Sequence, residues 1–195
     1  MSEAPSPNSK AVPGTKSRFC VQCGTALLLR PSRSSAAVRQ TCPACQVTVY
    51  DTPSVVVATL PVTEQRVILI RRATEPGHGK WAYAGGYLEA GETLEAAAIR
   101  ETREETGLEV RIAGLLGVYS RPGGRSITIV FLAAAERDDW APGPEALEVK
   151  AFEPGQIPWD GLAFWTVTYA LEDWLHVCER ELSLPSAWRV GPPRL

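Results

Sequence analysis

Gly86-Tyr87-Leu88-Glu89-Ala90-Gly91-Glu92, followed after residues 93–99 by Arg100-Glu101-Thr102-Arg103-Glu104-Glu105-Thr106-Gly107-Leu108, decides how this chain is read. Thr93 suits the N-cap of a helix that ends at Glu105 or Thr106, with Gly107 as its stop. At about 100° per residue, Glu101 and Glu105 lie about 40° apart, and Glu104 is within about 100° of both. Leu94, Ala97 and Ala98 occupy the same stripe earlier, so a face that begins apolar turns acidic. A solvated helix with Glu–Arg pairs worth a few tenths of a kcal/mol each is the ordinary alternative. Residues 89–109, however, hold seven glutamates and two arginines. Unless a cation compensates, mutual repulsion raises the pKa of clustered carboxylates. Hard divalent ions prefer oxygen ligands and keep positions open for phosphate and water, so the cluster reads as a phosphate-handling metal site.

The spacing resembles the Nudix hydrolase signature, with Gly86, Glu92, Arg100, Glu101, Glu104, Glu105, Gly107 and Leu108 in register. Thr102 departs from it by standing where the pattern wants an aliphatic residue, and Ala84-Gly85-Gly86 replaces the family's common Pro-Gly-Gly. The resemblance implies an α/β fold, the family's α/β/α sandwich with a mixed sheet, over residues 53–182. It further implies that Glu101, Glu104, Glu105 and the Gly85 carbonyl hold catalytic Mg²⁺ (or Mn²⁺). Gly86, Glu92, Arg100 and Gly107 become structural, with Glu92 paired to Arg100. One more catalytic glutamate before a late strand is expected, Glu148 with Glu145 as its rival.

Cys20-Val21-Gln22-Cys23 and Cys42-Pro43-Ala44-Cys45 are two CxxC pairs at a spacing that suits a closed, structural Cys₄ zinc ribbon. Two disulfides in a secreted chain are the competing pattern, but no apolar leader precedes them and Cys178 is left over. Cys178 lies in a late helical pattern and reads as a small buried side chain. Four segments are expected: a disordered tail at 1–16, the ribbon at 17–52, the catalytic domain at 53–182 and a C-terminal tail at 183–195. Six cations against Glu3 give residues 1–50 a charge of +5, leaving −7 of the total −2 for the rest. Basic ribbons can contact nucleic acid, but only Phe19 and Tyr50 offer rings for stacking, so a stability or dimer-contact role is expected. No run is long enough to span a membrane. The expectation is a cytoplasmic protein; the family resemblance adds a homodimer as one assembly it could take, and the sequence itself does not fix the oligomeric state.

Outside the signature, Val55–Leu60 and Val67–Ile70 flank Thr63-Glu64-Gln65 and predict a hairpin. Leu108–Val118 and Ser126–Ala135 predict further strands. A last helix follows Asp160, with Leu162, Trp165, Val167, Tyr169, Leu171, Trp174 and Leu175 on its buried side. His78-Gly79-Lys80-Trp81, Ala141-Pro142-Gly143-Pro144-Glu145 and Leu162-Ala163-Phe164, together with the ribbon, resemble plant Nudix hydrolases that cleave FAD and ADP-ribose. That likeness implies a nucleoside diphosphate-linked substrate, FAD (to FMN and AMP) or ADP-ribose. NADH is the alternative, weakened because Val118-Tyr119-Ser120-Arg121-Pro122-Gly123 stands where zinc-ribbon NADH pyrophosphatases carry Ser-Gln-Pro-Trp-Pro-Phe-Pro. A reading of another class is a non-catalytic nucleotide sensor or nucleic-acid-binding protein. Tyr87, Tyr119 and Trp81 are candidates to stack on a base, and Arg121 and Arg125 to grip phosphate.

Overall fold

The computed structural model describes residues 18–31, 38–50 and 52–179. The tails expected at 1–16 and 183–195 lie outside them. The chain divides after Thr52 into two compact units. The first is a three-stranded antiparallel sheet, β1 (Leu28–Pro31), β2 (Val38–Thr41) and β3 (Thr48–Val49) in that order. None of its strand side chains is buried, whereas Cys20 and Cys42 are. Among its described residues the unit has buried sulfur and no buried apolar strand side chain, the pattern of a small unit whose folding free energy a bound metal would supply.

The second unit begins with β4 (Ser54–Thr63) and β5 (Arg66–Arg72), joined by Glu64 and Gln65 at φ 45° and 63°. Two successive left-handed residues make the kind of tight turn that matches strand twist. The two strands pair only at the tip, Val62 with Val67 and Thr63 with Arg66, and then splay. Into the fork enter β6 (Trp81–Ala82) against β5 and β7 (Ala84–Tyr87) against β4. On its other edge β4 runs parallel to β9 (Ser126–Ala135), which pairs antiparallel with β8 (Val110–Tyr119). Finally, β10 (Ala146–Phe152) pairs antiparallel with β5, completing a mixed sheet of order β10-β5-β4-β9-β8.

Helices α1 (Leu94–Thr106) and α2 (Trp165–Glu179) cover opposite faces. Val57 of β4 and Phe131 of β9 pack with Ala97 and Ala98 of α1. Their strand neighbours Ala58, Leu60, Val130 and Leu132 belong instead to the cluster holding Val167, Ala170, Leu171 and Trp174 of α2. Coverage on both faces explains why β4 reads as a continuous apolar run without alternation. The result is an α/β/α sandwich.

Two details differ from expectation. The last helix begins only at Trp165, because Leu162 forms a β-bridge with Trp81 and the Ala163 amide donates to the Trp81 carbonyl at 2.8 Å. Cys178 is exposed, four residues beyond Trp174, the last fully buried position of α2.

Tyr83, between β6 and β7, ties the sheet to α2 by a 2.7 Å hydroxyl pair with Thr166. Burial pushes its phenol up to about 12. Between pH 10 and 12 the unfolded chain therefore ionises this group while the folded chain does not, so stability falls as pH rises through that window. Tyr83→Phe should cost about 1 kcal/mol at neutral pH and flatten the alkaline limb of a Tm-against-pH curve. Thermal denaturation between pH 7 and 11 checks both.

Candidate active site and cysteine cluster

The first turn of α1 is capped by Thr93, whose Oγ1 accepts from the Ala96 amide at 3.2 Å. Its end is closed by Gly107 at φ 69°, whose amide donates to the Arg103 carbonyl at 2.8 Å. Past Ala98, the residues that α1 buries are Thr102, Glu105 and Thr106. A helix whose core-facing side is polar over its last two turns must be held there by hydrogen bonds rather than by apolar contact.

Glu105 is 5% exposed and its Oε2 accepts the Gly85 amide at 2.8 Å. Burial pushes its carboxyl up to about 7; the Gly85 amide and Arg72 oppose this, and the charges of Glu101 and Glu145 add to it. In an extended strand the N–H and C=O of one residue point to the same side, so the Gly85 carbonyl also faces the helix.

Arg100 organises the remaining carboxylates. Its Nε and Nη2 grip Glu92 at 2.7 and 3.0 Å, and its Nη1 donates to Glu101 at 2.8 Å and Glu104 at 3.2 Å. The Glu92 carboxyl, held by Arg100, lies below the usual carboxylate range. This fork fastens the glycine loop to the helix. Gly86 stands directly against Glu101, where a Cβ would come within 2.5 Å of the carboxylate carbon and both oxygens. The cradle therefore closes on any side chain.

The late loop 141–145, singled out in the sequence only for its resemblance, meets the end of α1, a contact that sequence patterning did not reveal. The amides of Ala141 and Gly143 donate to the carbonyls of Thr106 and Glu105, each at 2.9 Å. A Cβ at Gly143 would strike the Glu104 carbonyl. The loop thus satisfies carbonyls that a helix end leaves free, and it carries Glu145 to where its charge reaches Glu105. Glu148 lies opposite Arg71 in the β10–β5 register, 3.6 Å from the Arg71 Nε.

The carboxylates stand in two groups, Glu101 and Glu104 on Arg100, and Glu105 on Gly85. Hard oxygen donors, an uncompensated buried acid and a cradle free of side chains fit a divalent cation of the Mg²⁺ type. Of the stacking candidates, Tyr119 is buried with its hydroxyl donating to Asp173 at 2.9 Å, and Trp81 packs edge-on against Phe152. Only Tyr87 of the three is exposed, at 64%. Arg121 lies 5.9 Å over the Trp165 ring, and the Arg125 carbonyl accepts from Ser54.

The family profile described as NUDIX domain matches residues 52–170. This chain belongs to the Nudix hydrolase family. Over 113 residues it is 37% identical to an ADP-ribose pyrophosphatase of Methanocaldococcus jannaschii, covering 56% of this chain and 67% of that protein. Over 148 residues it is 32% identical to the NAD-capped RNA hydrolase NudC of Deinococcus radiodurans, covering 72% of this chain and 50% of that protein. It thus spans about half the length of that NudC relative. A crystal structure of a Nudix hydrolase from Nitrosomonas europaea, 35% identical, superposes with a TM-score of 0.82 over 90% of this chain and 98% of its own.

In this Nudix chain the departure at Thr102 has a structural counterpart. Its hydroxyl pairs at 2.6 Å with that of Thr59 on β4, and both residues are fully buried. A polar residue in the helix is answered by a polar residue in the strand.

The four ribbon cysteines form the one group of three or more Cys, His, Asp or Glu ligand atoms, among the described residues, that all lie within 4.8 Å of one another. Two matching knuckles bring them there. The amides of Cys20 and Cys42 donate to the carbonyls of Thr25 and Val47, while those of Gly24 and Gln46 donate back to Cys20 and Cys42. Gly24 and Gln46 both adopt positive φ, 72° and 61°. Sulfurs approach at 3.5 Å (Cys20–Cys45), 3.4 Å (Cys23–Cys42) and 3.7 Å (Cys23–Cys45). Zn–S bonds of about 2.3 Å give a tetrahedron edge of about 3.8 Å, so the cluster fits zinc and its sulfurs are too far apart for disulfides. Thr25 hydrogen bonds bring the Cys23 thiol down to about 6. Although the Val47 amide favours its thiolate, the neighbouring Cys42 and burial push Cys45 up to about 12. Four sulfurs converging at this distance offer a closed tetrahedral ligand set for a cation.

Proposed function

We propose that this protein hydrolyses the diphosphate bond of nucleoside diphosphate-linked compounds in a divalent-metal-dependent reaction, with ADP-ribose and FAD as its substrates. The observation that carries the reading is the buried Glu105 carboxylate on the Gly85 amide, beside Glu101 and Glu104 on Arg100. Glu101, Glu104, Glu105 and the Gly85 carbonyl would hold Mg²⁺, which when bound polarises phosphoryl oxygens and acidifies a water. Arg100 and Glu92 hold the loop and helix together, and Gly86 leaves room for the Glu101 carboxylate. The cleavage adds water across one P–O–P linkage, giving AMP and ribose 5-phosphate from ADP-ribose, or AMP and FMN from FAD.

A carboxylate must also accept the proton of the attacking water. Glu148 and Glu145 are the candidates, and the reading places the role on Glu145, because it follows directly on the loop whose amides donate to the Glu105 and Thr106 carbonyls, while Glu148 is engaged by Arg71. Glu145→Gln should then lower kcat by about 10²–10³-fold and Glu148→Gln by less than tenfold, as steady-state kinetics would register. The reverse order assigns the role to Glu148.

ADP-ribose is supported by the relative of that name, and FAD by the four stretches that resemble the plant enzymes. The NudC relatives favour a second reading, cleavage of NADH or of an NAD-type RNA cap, which share the same diphosphate. Chromatography of products from FAD, ADP-ribose and NADH incubated in parallel with Mg²⁺ ranks the three. NADH cleaved fastest would replace the first reading by the second.

A further inference from the structure

We propose that the Thr59–Thr102 hydroxyl pair is a positioning device that fixes the rotation of α1 over β4, and with it the placement of Glu101, Glu104 and Glu105 against Gly85. This rests on reading those carboxylates as a divalent-cation site. Each threonine hydroxyl has one proton, and Thr102 donates its own to the Ala98 carbonyl at 2.7 Å. The proton in the 2.6 Å contact is therefore that of Thr59, which donates to Thr102.

The placement matters because of what flanks it. Thr59 sits opposite Ala84 in the β4–β7 register, one residue before Gly85. Thr102 follows Glu101 and precedes Glu104 and Glu105 on the helix. The fully buried apolar contact of α1 with the sheet comes from Ala97 and Ala98, whose single methyl groups leave few ridges to set a rotation, with the partly buried Leu94 and Ile99 packed at its edges. The side-chain ties of this helix to the glycine strand, Glu105 to the Gly85 amide and Arg100 to the Tyr87 carbonyl at 3.4 Å, both run through the carboxylate cluster, Glu105 being a residue the cation itself would use and Arg100 the partner of Glu101 and Glu104. The threonine pair is directional, fully buried and independent of the cation. Two aliphatic residues would fill the same space without fixing an angle.

The proton accounting orders the variants. Thr102→Val leaves the buried Thr59 hydroxyl without its acceptor, whereas Thr59→Val leaves Thr102 still bonded to Ala98. Replacing both by valine leaves no orphan and restores most of the stability. The test uses the zinc-loaded full chain without substrate, measuring Tm and the Mn²⁺ dissociation constant by electron paramagnetic resonance of free Mn²⁺. Thr102→Val should have the lowest Tm, and Thr59→Val/Thr102→Val should recover to near wild type while binding Mn²⁺ about 10- to 100-fold more weakly. Thr102→Ser, which keeps the hydroxyl, should bind Mn²⁺ within about threefold of wild type. A double variant with unchanged Mn²⁺ affinity would overturn the proposal and leave the pair a packing feature. If wild-type binding is instead indifferent to Glu105→Gln, the cation site itself is misplaced, and the proposal falls with it.

Discussion

Replacing Glu105 by Gln is expected to reduce turnover of a diphosphate substrate by about 10²–10³-fold while leaving the fold intact. The amide oxygen of Gln can still accept the Gly85 N–H, and the side chain fills nearly the same volume. What disappears is a buried negative charge that the unloaded protein holds at a cost, since burial, helped by the charges of Glu101 and Glu145 and opposed by the Gly85 amide and Arg72, pushes this carboxyl up to about 7. Tm measured without divalent cation should therefore stay level or rise as activity collapses. Falling activity and falling Tm together would mean that Glu105 is principally a structural acceptor for Gly85. Steady-state kinetics and calorimetry on the same preparation separate the two.

The second large effect concerns the ribbon. Cys42→Ser, or prolonged treatment with a strong zinc chelator, should abolish the structure of residues 18–50 outright. Among its described residues that unit buries two cysteines and none of its strand side chains, so little apolar burial is there to offset chain entropy. Two-dimensional amide NMR would show the ribbon resonances collapse to unfolded positions. Metal analysis should fall from one zinc per chain to none. Ribbon resonances that stay dispersed after zinc has left would refute the metal dependence.

Much of this was legible in the sequence because local chemistry specifies it. Thr93 and Gly107 bound α1 where the pattern placed them, since a hydroxyl cap and a left-handed glycine are short-range requirements. The paired CxxC knuckles are equally local. Long-range relations were not legible. Nothing in the sequence of Glu64-Gln65 shows that the hairpin splays beyond its tip to admit β6 and β7. That fork is what sets Gly85 and Gly86 against α1. The capping of α1 by Ala141 and Gly143 is likewise a contact across more than thirty residues, which spacing could not show. The departure at Thr102 has its counterpart in Thr59, forty-three residues earlier, a pairing that no local pattern shows. Tyr119 and Trp81 looked like stacking rings until their partners, Asp173 and Phe152, were placed.

The central claim is that water attacks phosphorus at the Glu101–Glu105 end of α1. Its most direct test is hydrolysis of ADP-ribose by the zinc-loaded protein with Mg²⁺ in ¹⁸O-enriched water, with mass spectrometry of the two monophosphates. Single-turnover reaction should place one ¹⁸O on the phosphate group of AMP or of ribose 5-phosphate, read on the phosphate fragment because the free anomeric hydroxyl exchanges with water by itself, and the rate of phosphate labelling should fall about 10²–10³-fold with Glu105→Gln. Tight ADP-ribose binding with no labelled product, and none from FAD or NADH, would contradict the account and make the fold a nucleotide sensor.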